Sequence, residues 1–213
     1  MAATILALEW LTKKTALETR PVGVVFGKDR FLRSRAIHRL ITNPEINSDS
    51  VMQKDAAEVQ WRDVHDFLAT RSLFDSDGMR VFVLREADSF ITAQRAILEK
   101  WIQDAPKQSM LVIEANSFVA TTNLYKHSLK LGWVIDCNPP MRGKSTKNID
   151  DATMEDWVVR WAQQEHSIAL GTAQAALMID RVGAEFGLLD CECAKLALFA
   201  DQQGKVADDK VEE

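Results

Sequence analysis

The chain has 213 residues, 46% of them hydrophobic and 27% charged, enough to bury a sizeable core as one large or two small domains. A formal net charge of −5 and a pI of about 5.5 exclude a global positive field for nucleic acid or an anionic membrane, so any DNA it serves is expected to be held mainly by a partner. No run reaches the roughly eighteen apolar residues of a membrane span, and "MAATILALEWLTKK" lacks a basic n-region and a convincing cleavage site, which together predict a cytoplasmic protein.

In chain order, "TILALEWLTKKTALETR" reads as an added N-terminal helix, with Leu6, Trp10 and Leu11 on one packed face. Four runs then read as strands buried on both faces: 22–26 ("VGVVF"), 80–84 ("RVFVL"), 110–115 ("MLVIEA") and 133–137 ("WVIDC"), with a weaker fifth in "VMQKDA". Helical patterns lie between them at 29–41, around Trp61, at 91–105 and at 121–132. Such alternation predicts a mostly parallel sheet covered on both faces over residues 1–140, of which 1–20 hold the extra helix. Residues 141–152 ("MRGKSTKNIDDA") are polar, without apolar periodicity, and read as a linker. Residues 153–203 read as a small all-helical domain opened by Thr153 as N-cap with Asp156 at N3, and 204–213 as a solvated acidic tail.

Chemistry is sparse. Cys137, Cys191 and Cys193 have no disulfide-framework spacing, and Cys191 and Cys193, two apart on a helix, diverge too far to share a metal. The loop "VGVVFGKDRF" keeps Gly27 and Lys28 of a phosphate-binding pattern, but Val22 replaces the first glycine and Asp29 stands where Ser or Thr would ligate magnesium. "NPPMRGKST" offers Gly143, Lys144 and Ser145 with Asn138 in place of the first glycine, and reads as a linker. Glu86 and Asp88 after the second long strand read as a helix-start charge and cap. His38, His65, His127 and His166 fall in separate helical segments and compose no catalytic arrangement. Trp61, Trp101, Trp157 and Trp161 sit on apolar helical faces and read as core. No cofactor, metal or catalytic residue is expected.

One apolar pair is not absorbed. In "WRDVHDFLATRSLFDSDG", Trp61, Val64, Phe67 and Leu68 make a core-facing stripe. At about 100° per residue Leu73 projects roughly opposite it and Phe74 about a quarter-turn away. An apolar pair that its own helix does not bury is a candidate anchor for a partner, with Arg71 and Ser72 at the rim.

Four stretches in order then resemble the delta subunit of the bacterial DNA polymerase III clamp loader, from about Val22 to Ala200: a strand followed by "FGKDRFLRSRAI", then "RSLFDSDGMRVFVLREAD", "NLYKHSLKLGWVIDC" and "AKLALFA". The resemblance implies an α/β, AAA+-like three-layer domain without a functional P-loop, followed by a small helical domain. It implies no intrinsic catalysis, ATP being bound by neighbouring subunits, and a role as an accessory subunit of the polymerase holoenzyme. Its implied partners are the sliding clamp and other clamp-loader subunits, with DNA met only through the complex and no membrane. By motif match, Leu73 and Phe74 become a wedge that enters a hydrophobic pocket on the clamp and opens the ring. Family members continue into a collar domain, which marks this chain as an expected fragment. Three other readings compete: an ATP-binding AAA+ or P-loop subunit, a generic interaction module, and a single-strand DNA binder using Arg30, Arg33, Arg35 and Arg39, which otherwise read as a solvated helix face.

Overall fold

The computed structural model describes residues 3–13, 15–70, 79–143, 149–207 and 211. They fall into two compact units, Met1–Ala7 with Thr15–Asn138 and Leu8–Lys14 with Pro139–Glu213.

In the first unit, the sheet contains β1 (Ile5–Leu6), β2 (Val22–Phe26), β3 (Val51–Asp55), β4 (Arg80–Arg85), β5 (Ser109–Ala115) and β6 (Trp133–Asp136). Their order is β1-β6-β2-β5-β4-β3 and the neighbours pair in parallel. Parallel neighbours need crossovers, supplied by α2 (Arg30–Ile41), α3 (Trp61–Ala69), α4 (Asp88–Gln103) and α5 (Asn123–Leu131). Helices cover both faces, which is why β2, β4 and β5 are near-continuous apolar runs: Val24, Val83, Leu111 and Ile113 are wholly buried. β3 lies at the sheet edge with mostly exposed side chains, so its sequence carries only a weak strand signal.

The second unit packs α6 (Asp151–Glu165), α7 (Thr172–Val182) and α8 (Phe186–Ala197). Trp157 and Trp161, one turn apart on α6, stack at 5.1 Å between ring centroids, and Phe186 of α8 meets Trp157 edge-on at 4.7 Å. Most of a further short helix, α1 (Ala7–Leu11), belongs to this unit; Trp10 and Leu11 are buried, and Gln164 Nε2 donates to Leu11 O at 2.7 Å.

Several expectations change. The N-terminal segment opens as strand before turning helical, because Ile5 and Leu6 pair with Ile135 and Asp136 at the otherwise open edge of β6. Leu6 is consequently 51% exposed and leaves the face it was expected to share with Trp10 and Leu11. α6 starts three residues earlier than expected: Asp150 is its N-cap, and Thr153 lies inside the first turn, its hydroxyl donating to Asp150 Oδ2 at 2.8 Å. Within the tail, Val206 and Val211 are buried rather than solvated; their carbonyls accept from Gln174 Nε2 and Arg181 Nη1.

A candidate site at the C-terminal ends of the strands

Open α/β sheets bind ligands outside the carboxyl ends of their strands, where the strand order reverses. Here the chain leaves β2 towards β3 on one side and reaches β6 on the other, so the crevice lies at the C-terminal ends of β2, β5 and β4. A phosphate-binding loop would point its N–H groups into such a crevice. In this chain they are already engaged. Gly27 N donates to Ala115 O at 3.2 Å, Lys28 N to Asn138 Oδ1 at 3.1 Å and Asp29 N to Cys137 O at 3.2 Å. Asp29 caps α2 with its own carboxylate, accepting from Leu32 N at 2.8 Å, and thereby supplies the negative charge that a phosphate would bring to that helix end. Gly27 is required: its φ is +142°, and a Cβ there would stand 2.4 Å from Cys137 C.

Side chains close the rest of the crevice. Arg33 of α2 and Glu114 of β5 form a buried pair, Nε to Oε1 at 2.9 Å, and Arg85 Nη1 at the end of β4 reaches Glu114 Oε2 at 3.0 Å. Arg33 Nη1 also donates to Gly27 O at 2.6 Å and to Asn116 Oδ1 at 3.3 Å. Glu86, in the left-handed region at φ +50°, faces Arg33 Nη2 at 3.5 Å. Arg33 is thus not part of a surface patch, and the proposed row of four exposed arginines loses a member; Arg39 is tied to Thr15 O at 3.1 Å and Arg35 lies over the Phe31 ring. Glu114 carried a readable signal, a lone charge inside a doubly buried strand, whereas nothing in the sequence pairs it with Arg33.

Asp88, expected to cap this helix, lies instead in the first turn of α4, where Ala87 is the N-cap, and serves a different loop. Its carboxylate accepts from Asn116 N at 2.9 Å, Asn116 Nδ2 at 3.0 Å and Ser117 N at 3.2 Å. Burial works to raise this carboxyl, but the hydrogen bonds from Asn116 and Ser117 outweigh it and hold the group below its ordinary value.

Arg71, Ser72, Leu73 and Phe74 lie outside the described residues, as do Lys144 and Ser145. What is described are the flanks of the Leu73–Phe74 segment. α3 ends at Ala69, with Thr70 as its C-cap. Of the stripe on α3, Val64 and Leu68 are buried, while Phe67 sits edge-on to Phe82 at 5.6 Å and Trp61 edge-on to Trp101 at 5.9 Å. Arg80, the first residue of β4, lies over the Phe67 ring at 4.3 Å and donates from Nη1 to Thr70 O at 3.1 Å. The two flanks therefore meet at the N-terminal edge of the sheet, opposite the arginine-filled crevice.

The remaining reactive side chains are structural. Burial pushes the Cys193 thiol up to about 12 and the Cys137 thiol well above its usual value, so neither offers a thiolate near neutrality. Cys191 is exposed while Cys193 is buried, the divergence expected of helix positions two apart. His166 and Asp190 meet at 2.8 Å, and Asp190 Oδ1 also accepts from the Trp161 indole at 2.7 Å, a link between α6 and α8 that the sequence does not announce. Among the described residues no cluster of three His, Cys, Asp or Glu could hold a metal, and no helix is long and apolar enough to cross a membrane.

No family profile and no curated protein matches the sequence. Among solved structures, the Bacillus subtilis DNA clamp loader delta protein (YqeN) superposes with a TM-score of 0.71 at 18% identity, over 97% of this chain and 60% of that one. The fold is that of a clamp-loader delta protein. A point mutant of Thermotoga maritima RuvB follows with a TM-score of 0.50 at 13% identity, covering 97% of this chain and 64% of that one. The architecture shared with the delta protein is a layered α/β unit with a parallel sheet, followed along the chain by a helical unit. This chain spans 60% of the length of the delta protein it resembles.

Proposed function

We propose that this chain is a clamp-loader subunit of the delta type, which binds a ring-shaped sliding clamp through Leu73 and Phe74 and helps open one ring interface for loading on primed DNA. The observation that carries this reading is the delta-like fold over 97% of the chain. It is supported by the four delta-like stretches, which occur in the sequence in the family's order. No bond-making is assigned to the chain. It acts as an accessory, cytoplasmic subunit of a replication polymerase, with the clamp and other loader subunits as partners and DNA reached through the complex. The engaged N–H groups of the loop after β2 and the ion cluster behind them favour this over a nucleotide-binding subunit.

The energetics suit a two-residue anchor. Burying a leucine and a phenylalanine is worth roughly 1.5–3 kcal/mol each, and two such anchors can dominate a small interface. A ring that alternates between closed and open states responds only to a ligand that binds the two unequally. The wedge therefore acts by fitting a clamp surface better formed when the neighbouring ring interface is distorted.

The test is calorimetric titration of the chain into the sliding clamp of the same bacterium, beside a folded Leu73→Ala, Phe74→Ala variant. The native chain is expected to bind and the variant to lose at least about 2 kcal/mol. Absence of native binding would sink the clamp reading. Equal binding by both chains would keep the clamp and move the contact away from Leu73 and Phe74.

A further inference from the structure

The ion cluster at the C-terminal ends of the central strands has the composition of an occupied anion site. Glu114 presents one carboxylate, only 5% exposed, and both of its oxygens are taken by guanidinium groups from different elements, Arg33 of α2 on Oε1 and Arg85 of β4 on Oε2. Arg33 continues to the Gly27 carbonyl in the loop after β2 and to Asn116 after β5. Arg85 continues from its other terminal nitrogen to Gln53 of β3 at 3.0 Å. One negative group thus gathers the ends of β2, β5, β4 and β3. A bound oxyanion does the same in folds that take one at this position: it neutralises guanidinium charge and collects donors from several strand ends.

The charges balance only with Glu114 in place. Arg33 and Arg85 carry two positive charges against Glu114 and Glu86, and Glu86 is the weaker partner, 54% exposed in its side chain and 3.5 Å from Arg33. Arg33 is 3% exposed, so removing the Glu114 carboxylate leaves a buried guanidinium that keeps the neutral acceptors Gly27 O and Asn116 Oδ1 but has only the long, solvent-facing contact to Glu86 to balance its charge. Breaking a buried pair in this way is far costlier than replacing both members by apolar groups.

We propose that the crevice at the C-terminal strand ends is an anion site whose anion is supplied by the chain itself, the Glu114 carboxylate, and that it takes a small carboxylate from solution once that side chain is truncated. In the native chain the strand ends are held in a ligand-bound arrangement without a ligand, so their order is independent of any nucleotide or phosphate. Clamp binding plays no part in this assignment.

Glu114→Ala removes Cγ, Cδ and both oxygens, and acetate carries a matching carbon–carboxylate fragment. The measurement is thermal unfolding of the full chain, the Glu114→Ala variant and an Arg33→Met, Glu114→Met double variant, each in sodium acetate and in sodium chloride at equal ionic strength. Glu114→Ala is expected to unfold at lower temperature in chloride and to recover in acetate; with acetate at ten times its dissociation constant, the folded-to-unfolded ratio rises about elevenfold. The native chain and the double variant are expected to show no acetate-specific gain. If Glu114→Ala is unfolded in chloride, the same comparison is read as the fraction refolded. The proposal is overturned if acetate does no more than chloride for Glu114→Ala in either readout, or if the native chain or the double variant gains as much.

Discussion

Asp88 illustrates how a single carboxylate can begin one element and organise another. It stands in the first turn of α4, where its charge suits the helix dipole, yet its hydrogen bonds go to Asn116 and Ser117 beyond β5. Replacing Asp88 by alanine leaves those donors without their acceptor and is expected to cost about 1–2 kcal/mol at neutral pH, read from urea unfolding. The pH dependence has a definite sign. A carboxyl held below its ordinary value of 3.8 stabilises the fold above that pH, and this contribution disappears as pH falls through the lower folded-state value. The gap between native and Asp88→Ala stabilities should accordingly be flat above pH 5 or so and close below about pH 3.8; a gap that widens on acidification would show that Asp88 is not the group responsible. The sequence shows an acidic residue at a helix start here, but the bonding partner is 28 residues away and is chosen by the adjacency of β4 and β5.

At the scale of elements, the junction of α5 with β6 depends on a glycine for space. Gly132 closes α5 and passes against the start of β2 so closely that an added Cβ would lie 2.2 Å from Val22 O. Gly132→Ala must therefore displace either β2 or the turn before β6, and is expected to lower stability by about 1–3 kcal/mol with little change in the denaturant slope. A variant as stable as the native chain would mean that the turn yields without strain. Strand legibility follows burial. β2, β4 and β5 are read from composition because both faces are covered, while β3 is faint because an edge strand keeps polar side chains in water. β1 is not legible at all: two residues carry no period, and Ile5 and Leu6 are strand only because β6 offers an unpaired edge. The stripe on α3 is legible, but its end at Ala69, with Thr70 as C-cap, is not.

For the whole molecule, charge and fold combine into an expectation about DNA. With a net charge of −5 and Arg33 committed to Glu114, the isolated chain is expected to bind labelled single-stranded DNA weakly, with an affinity that varies little with salt. A steep salt dependence, equivalent to several neutralised phosphates, would instead establish a direct nucleic-acid face. Composition and periodicity alone determine the fold class, the principal strands and helices and the loss of a phosphate-loop pattern, because buried parallel strands must be apolar and amphipathic helices must repeat every 3.6 residues. Motif order adds the delta-like resemblance, and the solved delta structure carries the same fold. Tertiary structure alone decides that most of α1 packs with the helical unit, that Arg33 and Glu114 meet across 81 residues, and that the loop after β2 turns its donors inward. Those outcomes depend on which strand ends become neighbours, and strand adjacency is set by long-range packing that leaves no local pattern in the chain.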